Sequence, residues 1–306
     1  MRLAIIAPEV PTQKYVKAFE KIAPEAIVET GLEYSEPEAI ECALVWKYPH
    51  GILNQFTQLK FIFSMGAGVD HVLSDPTLSK EIPVCRVVDP AMAFSMSNYI
   101  IMAVMNHHRR GYNYWEDQQN KVWGQFHHDD IPLKIGVLGT GHLGMDAAVK
   151  LHQLGFDVFG YSHSPKNTPF PSYSGGDMSE FLSKINTLIC TVPFTHKTEG
   201  LLSQKLFDQL QEPTYLINVS RGGVQVEKDI LNALDKGQLN GAFLDVFEQE
   251  PLPVESPLWT HPKVKLTPHI ASLTYAEESV RQALVNYTRF NQGLPLFNLA
   301  DREKMY

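Results

Sequence analysis

The sequence predicts an α/β protein built from two doubly wound, mostly parallel sheets. Three observations predict it. Short apolar runs of strand length alternate along the chain with segments of helical periodicity. From Leu133 onward six such runs follow one another, the strand count of a full dinucleotide-binding sheet. The first of them passes directly into the glycine-rich turn "GTGHLG" and then into a helical pattern.

The chain opens with "LAIIA" (3–7), an unbroken apolar run that reads as a buried strand. A helical pattern near 13–22 leads to strand "AIVE" (26–29). A short helix near 37–40, strand "CALVW" (42–46), a helix near 52–56 and strand "LKFIFS" (59–64) continue the alternation. The segment "SNYIIMAVMNHHRRGYNYWEDQQ" (97–119) reads as one long helix that carries a polar stretch at His107–Arg110. The second series comprises "KIGVLG" (134–139), "DVFGYS" (157–162), "NTLICTV" (186–192), "TYLINVS" (214–220), "GAFLDV" (241–246) and "VKLTP" (264–268). A last helix near 274–290 carries the chain back. The expected architecture is a Rossmann-type coenzyme domain, residues 97–271, inserted in a discontinuous flavodoxin-like substrate domain, residues 1–96 and 272–306. A cleft between the two is the expected site.

At 306 residues the chain is long enough for two cores. Its 26 basic and 34 acidic residues give a formal charge of −8, which argues against nucleic acid or a membrane surface as partner. Small anions must then be bound by local groups. Cys42, Cys85 and Cys190 form no CxxC pair, which suits a reducing compartment and inert core thiols. No segment approaches the ~18 apolar residues of a membrane span, and "MRLAIIAPEV" is too short for a signal peptide. We expect a soluble, cytoplasmic protein. The run His127-His128-Asp129-Asp130 reads as a solvated loop, because adjacent residues rarely converge on one ion, and no metal is expected.

In "GTGHLG", Gly139 permits a tight turn, Gly141 lets the backbone approach a pyrophosphate, and Gly144 allows helix to pack on strand. Thr140, His142 and Leu143 complete the turn as expected coenzyme contacts. The next strand ends in "YSHSPK", where an NAD enzyme carries a carboxylate for the ribose 2′-OH. Ser162, His163, Ser164 and Lys166 stand there instead, and hydroxyls and cations suit a 2′-phosphate. NADPH/NADP is the expected coenzyme, with NADH/NAD possible if this turn is merely indifferent to the phosphate. Further coenzyme contacts are expected at Val192, Pro193 and Thr198, at Val219 and Ser220, and at Asp245 and Ser272.

Three strand ends carry chemistry. "INVSRGG" places Arg221 after one strand, "LDVFEQEPLP" places Glu250 beyond the next, and "LTPHIAS" places His269 beyond the last. Together they suit reduction of a 2-keto acid. An Arg fork binds a carboxylate and polarises the adjacent carbonyl. A His donates a proton to the developing alkoxide. A Glu beside it favours the protonated imidazole.

These segments, with "TVPFTHKTEGLL" and "SPLWTHPKVKLTPHIAS", resemble the D-isomer-specific 2-hydroxyacid dehydrogenase family over roughly residues 60–275. The resemblance implies catalytic roles for Arg221, Glu250 and His269. It also implies that "SMGAGVDHV" binds the substrate carboxylate through Ala67 and Gly68, in agreement with a glycine-rich turn acting as an anion nest. Within the family the sequence looks like the glyoxylate/hydroxypyruvate reductase A subgroup. Trp46 in "ALVWKYP" resembles its active-site tryptophan, and the subgroup's preference for NADPH agrees with "YSHSPK". The resemblance further implies a homodimer, for which helix 97–119 offers a surface. Two departures stand out: "SMSNYI" puts Ser97 and Asn98 where an Ala-Glu pair is usual, and Thr191 stands where many members carry His. Ending at Tyr306, the chain is expected to carry no regulatory domain. Formate dehydrogenases of the family have Gln where Glu250 stands, so formate is a poor substrate candidate.

The sequence thus points to NADPH-dependent reduction of glyoxylate and hydroxypyruvate. Two alternatives stay open: an NAD-linked relative acting on bulkier D-hydroxy acids, and a dinucleotide-sensing binding protein without turnover.

Overall fold

The computed structural model describes residues 1–125 and 128–305; Phe126, His127 and Tyr306 lie outside the described residues. The chain divides into two compact units, Met1–Asp89 with Thr274–Tyr306, and Pro90–Leu273.

The first unit carries β1 (Arg2–Ile6), β2 (Ile27–Thr30), β3 (Cys42–Val45), β4 (Phe61–Ser64) and β5 (Val84–Arg86). All pairings are parallel, in the order β2-β1-β3-β4-β5, which is the flavodoxin-like order. β3 and β4 are buried at every position, as strands covered on both faces must be. Helix Gln13–Ile22 buries Tyr15, Ala18 and Phe19 and packs beside helix Ala276–Asn291, with Lys21 and Glu277 paired at 2.8 Å. That pairing ties the C-terminal helix to the N-terminal one. The helices expected near 37–40 and 52–56 are single 3₁₀ turns, Pro37–Ala39 and Ile52–Gln55.

The second unit carries β6 (Lys134–Leu138), β7 (Asp157–Ser162), β8 (Ser172–Ser174), β9 (Thr187–Cys190), β10 (Thr214–Asn218), β11 (Leu239–Leu244) and β12 (Val264–Leu266). Their order, β12-β11-β10-β9-β6-β7-β8, is the Rossmann order with a seventh strand added, and every pairing is parallel. The sequence leads to six strands; the unforeseen one is β8, three half-buried residues "SYS" at the sheet edge, too short and too polar to show a strand period. Successive residues serve opposite faces. Leu138, Cys190, Leu216 and Leu244 join one core, while Val137, Ile189, Ile217 and Phe243 join the other. Each fully buried side chain contributes about 1.5–3 kcal/mol.

The helix expected over 97–119 is two. One runs Pro90–His108, with proline at its first position, and the other runs Gly111–Gln119. Arg110 between them is left-handed at φ 56°, which ends the first helix. All three cysteines are buried, with no disulfide, and burial pushes the thiols of Cys85 and Cys190 up to about 12 and about 11. Thiolate chemistry is thereby suppressed. Among the described residues no helix is long and apolar enough to cross a membrane, and no group of three His, Cys, Asp or Glu could hold a metal ion.

Candidate active site

β6 and β9 lie side by side where the strand order reverses, so their carboxyl ends form the switch point of the sheet. Gly139 follows β6 at φ 107°, a conformation that favours glycine. A Cβ there would lie 2.8 Å from the Val192 nitrogen. The Thr191 hydroxyl donates to the Gly139 carbonyl at 2.7 Å, fixing the two strand ends together. A Cβ on Gly144 would meet the Gly139 carbonyl oxygen at 2.2 Å, so only glycine lets helix His142–Gln153 start this close to the strand. A Cβ on Gly141 would meet nothing within 4 Å. The turn is open on that side, and the N–H groups of His142, Leu143 and Gly144 begin a helix that gives them no internal partner. A buried Thr140 hydroxyl, without a hydrogen-bond partner, completes a turn that fits a dinucleotide pyrophosphate.

At the end of β7 the Ser162 hydroxyl donates to the Ser164 carbonyl at 2.7 Å. Ser162 therefore shapes the turn, while His163, Ser164 and Lys166 stand exposed. Across the sheet, Val192 is buried and Pro193 exposed, and the Thr198 hydroxyl donates to the Pro193 carbonyl at 2.6 Å. Buried Ser220 donates to Asn218 Oδ1 at 2.6 Å beside buried Val219, and Ser272 donates to the Met92 carbonyl at 3.0 Å. These side chains hold the loops.

Arg221 follows directly, in extended backbone, with one guanidinium nitrogen 2.8 Å from the Ser220 carbonyl. A Cβ on the next residue, Gly222, would sit 1.7 Å from the Phe247 carbonyl oxygen. The loop of Arg221 and the loop of Glu250 therefore touch backbone to backbone. Glu250 is held at both oxygens: Oε1 accepts the Phe247 N–H at 3.1 Å, and Oε2 lies 2.8 Å from His269 Nδ1. Their side chains are 17% and 29% exposed, low enough for the pair to matter electrostatically. With Nδ1 engaged, Nε2 is the ring nitrogen left for another partner.

His269 is left-handed at φ 55°, and its N–H donates to the carbonyls of Asp245 and Thr267 at 2.9 and 3.1 Å. The carboxylate of Asp245, 1% exposed, accepts from the Ile270 and Ala271 N–H groups at 2.9 and 2.8 Å and from the Thr267 hydroxyl at 2.6 Å. Tyr99 bonds the same Thr267 hydroxyl. Burial raises the Asp245 carboxyl, against the lowering effect of these hydrogen bonds and of nearby His269. The side chain of Asp245 is thus turned onto the His269 loop. Tyr99, Thr267 and Gly222 are the parts of this site that sequence reasoning missed; a glycine immediately after the arginine was the available signal.

In the first unit, Trp46 follows β3 and its ring lies against His71, centroids 4.7 Å apart. Ala67 and Gly68 are half-exposed in the turn after β4. As for the two departures, the buried Ser97 hydroxyl bonds Asp146 on the glycine-loop helix, whose carboxylate also holds Lys150 at 2.5 Å. Ser97 is therefore a clip between helices, and Asn98 is exposed. Thr191 is the clip on Gly139 described above.

A Rossmann sheet with a glycine turn at its switch point and a paired His–Glu at its far strand ends defines a dinucleotide-dependent oxidoreductase. Residues 101–271 match the model of the D-isomer specific 2-hydroxyacid dehydrogenase, NAD binding domain. A glyoxylate/hydroxypyruvate reductase A from Yersinia enterocolitica is 36% identical over 279 residues, 89% of each chain. An NADPH-dependent glyoxylate/hydroxypyruvate reductase from Sinorhizobium meliloti, solved with NADP and sulfate, superposes with a TM-score of 0.92 at 33% identity. The match covers 100% of this chain and 99% of that one. A D-isomer specific 2-hydroxyacid dehydrogenase from Xanthobacter autotrophicus Py2, solved with NADPH and MES, gives 0.91 at 33% identity over the same shares. The chain belongs to the D-isomer specific 2-hydroxyacid dehydrogenase family and is an NAD(P)-dependent oxidoreductase.

Proposed function

We propose that the protein reduces small 2-keto acids with NADPH, glyoxylate to glycolate and hydroxypyruvate to D-glycerate. The observation that carries this reading is the 2.8 Å contact of His269 with Glu250 on the strand ends of the coenzyme sheet. His269 is the general acid: it gives its Nε2 proton to the oxygen that becomes the alcohol. Glu250 holds the ring through Nδ1, which leaves Nε2 as the nitrogen toward the substrate. The Arg221 fork binds the substrate carboxylate and draws charge from the adjacent carbonyl. Ala67 and Gly68 hold the carboxylate through backbone N–H groups, and Trp46 limits substrate size. NADPH, when bound, supplies the hydride.

NADPH is favoured over NADH because the turn after β7 offers Ser164, Lys166 and His163 and no carboxylate. The relatives solved with NADP and NADPH support this choice. The exposed Met102, Met105 and Trp115 on the helices Pro90–His108 and Gly111–Gln119 support a homodimer through that surface. A cytoplasmic location fits the buried, unpaired cysteines.

The test is oxidation of NADPH and of NADH with glyoxylate, hydroxypyruvate, pyruvate and phenylpyruvate. The two small acids with NADPH should give the highest kcat/KM. A marked NADH preference, or phenylpyruvate as best substrate, contradicts the proposal. Activity that survives His269→Ala unchanged removes the acid.

A further inference from the structure

We propose that Ser64 is a positioning residue for carboxylate recognition, bracing the turn Gly66–Gly68 from beneath so that its N–H groups face a ligand. The proposal rests on the role given above to Ala67 and Gly68.

Ser64 ends β4 and is fully buried. Its hydroxyl donates to the Gly68 carbonyl at 2.7 Å and accepts the Gly66 N–H at 3.4 Å, so one side chain grips both ends of the turn. The two carbonyls between are also drawn inward. The Gly66 carbonyl accepts the Val87 N–H at 3.3 Å, and the Ala67 carbonyl accepts from the Arg86 guanidinium at 3.4 Å. In a planar trans peptide the C=O of one residue and the N–H of the next point in opposite directions. Drawing in the Gly66 and Ala67 carbonyls therefore turns the Ala67 and Gly68 N–H groups to the opposite side, away from these contacts. On the other flank a Cβ on Gly66 would lie 2.5 Å from the Trp46 ring, so the indole rests on the turn and keeps it from lifting. Of all these contacts the Ser64–Gly68 bond is the shortest. Losing it takes the hydroxyl donor from the half-buried Gly68 carbonyl and frees the turn to rotate its peptides.

The test compares Ser64→Ala with Ser64→Thr, which keeps the hydroxyl. The readouts are KM and kcat with glyoxylate, the Kd of oxalate measured by calorimetry, and the Kd of NADPH. Ser64→Ala should raise KM and the oxalate Kd up to about tenfold, the effect of one lost hydrogen bond. NADPH affinity should stay unchanged, kcat should change less than KM, and Ser64→Thr should restore much of the oxalate affinity. A folded Ser64→Ala that binds oxalate as wild type does overturns the proposal, as does a folded Ser64→Thr as weak as Ser64→Ala. If Ser64→Ala fails to fold, Ser64→Cys takes its place, with a weaker donor of similar size and the same expected direction. Calorimetry separates this proposal from the reaction itself. A wild type that binds oxalate but reduces no keto acid refutes the activity and leaves the brace to be judged on oxalate alone. A wild type that binds neither refutes both.

Discussion

Glu250→Gln isolates one charge in the site. Glu250 accepts from two donors, the Phe247 N–H at 3.1 Å and His269 Nδ1 at 2.8 Å. A carboxylate can serve both at once; a carboxamide has one oxygen and one NH₂. The Phe247 N–H can only donate, so the amide oxygen turns to it and the NH₂ faces the imidazole. Nδ1 must then accept, and a protonated ring can no longer be held there. The opposite rotamer keeps the ring bond but sets two donors face to face at Phe247. Either way a hydrogen bond to a charged group is lost, about 1.5–3 kcal/mol, so kcat should fall roughly 10- to 100-fold. Substrate binding depends on other groups, so KM for glyoxylate should move far less. The assay is steady-state NADPH oxidation with glyoxylate, beside a binding titration with NADPH alone. A kcat within about twofold of wild type, or a loss explained by weaker NADPH binding, refutes the assignment of Glu250 as the partner of the acid.

Four more outcomes are expected. Arg221→Lys replaces a planar fork by a point charge and should lower kcat/KM for glyoxylate by at least about tenfold, read from initial rates. Lys166→Ala combined with Ser164→Ala should cut the NADPH-to-NADH ratio of kcat/KM, each exposed contact being worth at most about 1 kcal/mol; an unchanged ratio would put the phosphate elsewhere. Gly222→Ala would place a carbon 1.7 Å from the Phe247 oxygen, backbone against backbone, and should cost about 1–3 kcal/mol or more in denaturant unfolding as well as activity. Burial, with smaller contributions from Arg110 and His108, lowers the His107 imidazole from 6.5 to about 4, while its ring stacks on Tyr215 at 3.7 Å. The unfolded chain therefore takes up a proton between those pH values that the folded chain refuses. Stability falls as pH drops from about 6.5 toward 4, by up to about 3 kcal/mol. His107→Phe keeps the stack and should flatten that fall, seen in denaturant midpoints at pH 5 and pH 7.

Much of the frame was legible because parallel strands buried on both faces leave continuous apolar runs, and because the glycine turn announces its own sheet. β8 was not legible, since "SYS" at a sheet edge carries no apolar run, and the break at Arg110 was marked only by Gly111, one glycine inside an otherwise continuous helical segment. The strand-end positions of Arg221, Glu250 and His269 could be read, because each comes within six residues of the end of an apolar run. What holds them could not. Tyr99 meets Thr267, two residues before His269, from 168 positions away. A sequence shows the groups that do chemistry by their type; the groups that aim them look like ordinary core polar residues.

The backbone at His269 shows why aiming needs such support. A left-handed conformation costs a residue with a side chain about 1–2 kcal/mol, and glycine would adopt it freely but brings no imidazole. The same conformation turns the next two N–H groups, of Ile270 and Ala271, toward one point, and Asp245 places its carboxylate there. Two bonds to a buried carboxylate, with the His269 N–H on the Asp245 carbonyl, offset the backbone cost. Asparagine at 245 would have only one oxygen for a carboxylate that serves both N–H groups and Thr267. The strained residue and the buried acid therefore depend on each other: the strain creates the pair of donors that a charge at Asp245 requires, and that charge keeps the imidazole aligned with Glu250.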